Sequence, residues 1–220
     1  MITAMVIGSK PPTCTYVSTV SSAVTSSVTF TAQNIGPTGG GRRFIVVGLV
    51  TSGGTLATIP TGITCNGVSM TLLATQTKVL LSNSNSFYGL VVPTGTTADF
   101  TITMSNATAA AASIAIWSVK GLRSLTATAT SQSSATPAVL NLNVQPRGVV
   151  IATAGSAISG TTYTWAGIAQ DYVSTTGSAS NPARSGASGV STAGGTPLAV
   201  SCTYSSISSP NQRALAIALR

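Results

Sequence analysis

The sequence predicts an all-β protein, folded as a single two-sheet β-sandwich of jelly-roll type built from two quasi-repeated halves. Three observations predict it. Hydroxyl and β-branched side chains dominate: the 220 residues include 35 Thr and 31 Ser, and no segment carries a convincing 3.6-residue apolar stripe. Strict alternation of apolar and polar residues recurs along the chain. Five segments of the first half return in the same order in the second, about 100 residues later. Two tandem immunoglobulin-like sandwiches are the alternative partition.

The elements follow in chain order. Residues 1–13 read as an N-terminal arm, and residues 14–220 as the sandwich, with halves at about 14–120 and 121–220. SVTFTAQ (Ser27 to Gln33) is an alternating strand. FIVVGLV (Phe44 to Val50) is apolar on both faces and reads as a central strand. TSGGTLATIPTG (Thr51 to Gly62) reads as a loop, ITCNG around Cys65 as a turn, and LLSNSNS (Leu80 to Ser86) as a second loop. In DFTITMS (Asp99 to Ser105), Phe100, Ile102 and Met104 share one face while Thr101 and Thr103 share the other. Ala109 to Ala112 are too few to nucleate a helix, and SIAIWSV (Ser113 to Val119) continues in strand rhythm.

In the second half, Leu140, Leu142 and Val144 of LNLNVQ point inward and Asn141 and Asn143 outward. The repeat then matches SVTFTAQ with VLNLNVQ, GRRFIVVGLV with QPRGVVIATA, and CNGVSMTLLA with WAGIAQDYVS. DFTITMSNA matches PLAVSCTYSS, and SIAIWSV matches the closing ALAIALR, so Arg213 to Arg220 is expected to be a buried strand. TTGSASNPARSGASG (Thr175 to Gly189) has no large apolar side chain and reads as a long loop. Only KGLR separates the halves, which favours one fused body over two linked domains.

Composition narrows the function. Only 12 of 220 residues are charged, ten of them Lys or Arg, with no Glu, no His, and Asp99 and Asp171 as the only acids. An average soluble domain carries roughly 25% charge. General acid–base chemistry needs His, paired carboxylates or a tuned Lys, so no enzyme is expected. No phosphate loop, dinucleotide fingerprint or zinc spacing occurs, so no cofactor or metal is expected either. The cations lie scattered along the chain, mostly beside turns. They read as solvated strand borders, with an acidic partner surface as the sharper reading and no sequence-specific nucleic-acid track. MITAMVIGSKPP lacks the basic start of a secretory signal, and no window is long and apolar enough for a membrane helix. Synthesis in a cytoplasm is therefore expected.

Three cysteines cannot all pair within one chain. Cys202 shares a face with Leu198, Val200 and Tyr204 and is expected to be buried. Cys65, in its turn, and Cys14, after Pro11 and Pro12, are candidates for a disulfide between subunits. Trp117 lies inside a strand and is expected in the core. Tyr163 and Trp165, and Arg184 in the long loop, are candidate glycan or partner contacts, with core or edge packing as the plainer fate of the two aromatics.

The stretch FYGLVVPTGTTADFTITMSNATAAAASIAIWSVKGL (Phe87 to Leu122), with GRRFIVVGLV and GITCNGVSMTLLATQ upstream, resembles small structural proteins of tailed bacteriophages. The resemblance implies a β-sandwich virion component of capsid-decoration, collar or tail-associated type. The expected function is decorating or cementing the head or neck through contacts with other virion proteins, as a homo-oligomer in a symmetric assembly. The alternative is a receptor- or glycan-binding module of a tail fibre. Neither a membrane nor a specific nucleic acid is expected as a partner, and the expected location is the virion.

Overall fold

A computed structural model describes residues 11–39, 41–52, 60–78, 83–105, 110–135, 137–156, 160–174, 183–191, 197–205 and 212–220. The described residues form 17 strands and no helix, and every pairing is antiparallel. The all-β sandwich class expected from the sequence is what the chain forms.

The first half makes two sheets. β1 (Thr13–Val24), β9 (Ala110–Lys120), β3 (Arg43–Ser52), β7 (Asn83–Val91) and β6 (Thr71–Lys78) lie side by side in that order. Facing them are β2 (Ser27–Asn34), β8 (Thr97–Met104), β4 (Pro60–Cys65) and the two-residue β5 (Val68–Ser69). The second half repeats the plan. Its larger sheet runs β10 (Ala127–Ser133), β17 (Gln212–Leu219), β12 (Val149–Ser156), β15 (Ala183–Val190) and β14 (Ala169–Ser174). Its smaller sheet runs β11 (Ala138–Asn143), β16 (Pro197–Tyr204) and β13 (Tyr163–Ala166). All five sequence matches fall on strands in equivalent positions: β2 with β11, β3 with β12, β4–β6 with β13–β14, β8 with β16, and β9 with β17.

The strands divide into four sheets, two in each half. Among the described residues, no strand of β1–β9 is paired with a strand of β10–β17. Each half closes its own sandwich, and the two larger sheets then stack face to face. The reason lies in which strands are apolar on both sides. In β3, Ile45, Val47 and Leu49 fill the first sandwich core, while Phe44 and Val46 face the other half. In β17, Ala214, Ala216 and Ala218 face the second core, and Leu215, Ile217 and Leu219 face the first half. A strand with two apolar faces needs cover on both, and stacking supplies it. The result is four layers: small sheet, large sheet, large sheet, small sheet.

The two inner cores differ in texture. The first is built of Phe30, Phe100, Ile102, Ile114 and similar large side chains. In the second, alanines on the larger sheet face Tyr163, Trp165 and Tyr204 from the smaller one, so small residues on one layer make room for rings on the other.

All three expected loops are strands in part: Thr51 and Ser52 end β3 and Pro60 to Gly62 begin β4. Ser84, Asn85 and Ser86 are buried in β7, and Arg184 to Ser188 are buried in β15. Residues 53–59, 79–82 and 175–182, which complete the three expected loops, lie outside the described residues, as do residues 1–10 of the arm; Thr13 already pairs with Lys120. Of ITCNG only the last two residues turn: Ile63 to Cys65 end β4, and Asn66 (φ 49°) and Gly67 (φ 78°) lead back into β5 in left-handed conformations that suit an Asn-Gly pair.

Candidate functional site

The seam between the larger sheets is the most elaborate environment in the molecule. Among the described residues, thirteen buried apolar side chains meet there, six from the first half, six from the second and Leu122 from the connection between them. Trp117 of β9 is fully buried at its centre. Phe87 and Tyr172 flank it with ring centroids 6.3 and 6.2 Å away, and Tyr16 meets it edge-on at 6.0 Å. Tyr16 also stacks on Tyr172 at 5.3 Å, joining β1 to β14 across the seam. The indole Nε1–H donates to Asp171 Oδ2 at 2.8 Å, satisfying a donor that would be costly to bury alone.

Glycines set the sheet separation. A Cβ on Gly48 would lie 2.6 Å from Thr153 Cγ2 and 3.0 Å from Trp117 Cζ3. A Cβ on Gly155 would lie 2.8 Å from Val50 Cγ1, and one on Gly186 would run into the Tyr172 ring. This explains why β15, ARSGASGV, was illegible as a strand: its small side chains are what let Tyr172 and Trp117 lie against it.

The residues singled out from sequence are mostly interior. Cys65 is 2% exposed, in the first sandwich core, because the Asn66-Gly67 turn lies beyond it and Cys65 points inward opposite Phe100. It is not a surface thiol, and burial raises its pKa to about 11. Cys14 is half-buried in the seam beside Ser188 and Asp171, and burial raises its pKa to about 12. Cys202 is buried as expected. All three thiols are free.

Tyr163 and Trp165 are core residues of the second sandwich rather than exposed contacts. Tyr163 donates to the Ala183 carbonyl at 2.7 Å, and Trp165 Nε1 to Ser185 Oγ at 2.8 Å, so each ring is anchored to β15. Arg184 is also buried, and its Nη2 donates to Ser21 Oγ at 2.8 Å across the seam. The arginines as a set are not all solvated strand borders: Arg43, Arg184 and Arg213 are buried, and burial lowers the pKa of each.

Arg43 shows how such a cation is tolerated. Its guanidinium donates to four backbone carbonyls, those of Val92, Gly36, Thr94 and Gly95, at 2.7–2.9 Å. It thereby ties the turns after β2 and β7 to the start of β3. Asp99 does similar work nearby: Oδ1 accepts from the Ala32 amide at 2.7 Å, holding the bulge where Ala32 takes φ 52°.

Two accessible features of the first half stand out among the described residues. One is a groove of about 500 Å³ at the open edge of the first sandwich, lined by Thr61, Thr64, Ser69, Leu72, Thr75 and Tyr88 among others. The other is the outer face of the first small sheet. There Thr29, Thr101 and Thr64 stand in register across three strands, with Ser27 opposite Thr103 beside them. Thr29 and Thr101 share a hydroxyl hydrogen bond of 2.9 Å. Among the described residues, no three Asp, Glu, His or Cys side chains gather in a metal-binding group.

Fold and surface together define a double β-sandwich whose first small sheet carries hydroxyls and the Asp99 carboxylate on its outer face. No family model, no curated protein and no solved structure matches the chain.

Proposed function

We propose that the protein is a structural component of a phage virion, decorating or cementing the head or neck through subunit contacts and carrying out no catalysis. The observation that carries this reading is the outer face of the first small sheet. Thr29, Thr64 and Thr101 form a ladder of β-branched hydroxyls on strands held by a solid core, beside the Asp99 carboxylate that shares this face and is held by the Ala32 amide. Threonine loses little rotamer freedom on being covered, and a neutral hydroxyl costs far less to desolvate than a charge. Such a face suits a permanent contact with a neighbour. The resemblance of Phe87 to Leu122 to tailed-phage structural proteins supplies the setting.

The experiment is the composition of purified particles. The protein should be present at a fixed ratio to the major capsid protein. A Thr29→Lys, Thr101→Lys variant that keeps its thermal stability should fail to join the particle. Absence of the wild-type protein from particles would overturn the reading. The tail-fibre alternative would require a glycan platform other than Tyr163 and Trp165, which lie inside the second sandwich.

A further inference from the structure

Five of the cations that look scattered in sequence meet at one end of the molecule. Lys120, the last residue of β9, pairs with Arg43, and Arg42 stands one position before it. Arg42 Nη1 reaches the Arg123 carbonyl at 3.4 Å. Leu219, near the end of β17, pairs with both Val149 and Ala127, which brings Arg220 and the turn carrying Arg147 to the same end. The Ser124 amide donates to the Arg220 carbonyl at 2.9 Å, closing the connection between the halves over this edge. Arg42, Arg123 and Arg147 are exposed; Lys120 and Arg220 are partly so.

From this geometry we infer that the end bearing Arg42, Lys120, Arg123, Arg147 and Arg220 is a docking surface for a carboxylate-rich protein face. The inference rests on the assembly reading above and names the chemistry of the partner. Of the two acids of the chain, Asp99 is held by the Ala32 amide and Asp171 by the Trp117 indole, so neither is directed at this cluster. Two of the cations are already held in place. The Arg42 guanidinium lies 5.2 Å from the Phe44 ring centroid, and Lys120 Nζ donates to the Pro37 carbonyl at 3.2 Å. Pre-ordered side chains lose less freedom on binding.

Between Arg42 and Lys120 lies a notch of about 290 Å³, with Leu122, Pro11 and Gly121 in its lining. An Asp or Glu side chain fits a recess of that size between two cations, and arginine's planar fork matches a carboxylate. Nucleic acid fits less well. Among the described residues the notch has no aromatic lining on which a base could stack, and the turns there offer no helix or ribbon for a groove.

The test uses the full-length protein and poly-L-glutamate as the probe, with heparin and duplex DNA as comparison arms. Wild-type protein should bind poly-L-glutamate, and raising salt from about 50 to 300 mM should weaken binding about tenfold as the charges are screened. The triple variant Arg42→Gln, Arg123→Gln, Arg147→Gln should bind about tenfold more weakly at low salt. Lys78→Gln, at the opposite strand ends, should bind like wild type. Thermal unfolding checks that the triple variant is folded; if it is not, the single variants Arg123→Gln and Arg147→Gln, at exposed positions, replace it and should each weaken binding measurably. Equal binding by folded variants, no salt dependence, or tighter binding to duplex DNA or heparin than to poly-L-glutamate would each overturn the inference. Particle composition is read separately, so poly-L-glutamate binding by a protein absent from particles would sink the assembly reading alone.

Discussion

The seam makes a quantitative demand on Gly48. Replacing it with Ala places a methyl 2.6 Å from Thr153 Cγ2, 3.0 Å from Trp117 Cζ3 and 3.2 Å from Phe87 Cε1. Two of these neighbours are rings in a packed cluster, and the third belongs to the opposite half, 105 positions on in the chain. Overpacking of this kind costs about 1–3 kcal/mol. The lost flexibility of a strand glycine returns about 0.5–1 kcal/mol, which leaves a net loss of about 1–2 kcal/mol. For a chain of this size that is a melting-temperature drop of about 2–8 °C. Thr153→Ser removes the nearest obstructing methyl, so the double variant should recover about 1 kcal/mol relative to the sum of the single changes. Gly62→Ala is the control, since a Cβ there meets nothing within 4 Å. The assay is urea and thermal unfolding of all four variants. A Gly48→Ala protein as stable as wild type, or strict additivity with Thr153→Ser, would refute close stacking of the two sandwiches.

Other consequences follow from the same contacts. Arg43→Lys keeps the charge but cannot reach four carbonyls, and should lower stability by about 2 kcal/mol or more in urea unfolding. Burial holds the Asp171 carboxyl above its ordinary range, against the hydrogen bonds from Trp117 and Ser188 that pull it down. The folded state therefore keeps this proton to a higher pH than the unfolded chain, and the group's contribution to stability falls as pH rises from the unfolded carboxyl value through the folded one. Asp171→Asn keeps an acceptor for the indole and should remove that slope, read as the urea midpoint across a pH series. With pKa values raised to about 11 for Cys65 and about 12 for Cys14 and Cys202, thiol labelling at neutral pH should be slow for all three and fast in denaturant. A rapidly labelled thiol in the native protein would contradict the burial described.

Much of the fold was legible because burial writes itself into strand periodicity. DFTITMS and LNLNVQ alternate, and both lie in small outer sheets with one face in solvent. FIVVGLV and ALAIALR do not alternate between apolar and polar residues, and both lie in larger sheets covered on two sides. The candidate site was far less legible. From sequence, core or edge packing is the plainer reading of Tyr163 and Trp165, whereas Arg184 looked available because TTGSASNPARSGASG carries loop-like composition. Their burial depends on β15 packing between β12 and β14, a long-range pairing with no local signal. Cys65 was misplaced by a single position, since its turn lies at Asn66 and Gly67.

The sequence by itself determined the all-β class, the repeat and which strands have one apolar face or two, because side-chain period and composition are local properties of the chain. Only the tertiary structure decided that each half closes its own sandwich, that glycines at 48, 155 and 186 let the sheets meet, and that Arg42, Lys120, Arg123, Arg147 and Arg220 share one end. Those outcomes depend on which distant strands pair and how closely their faces approach. Linear spacing does not encode either quantity.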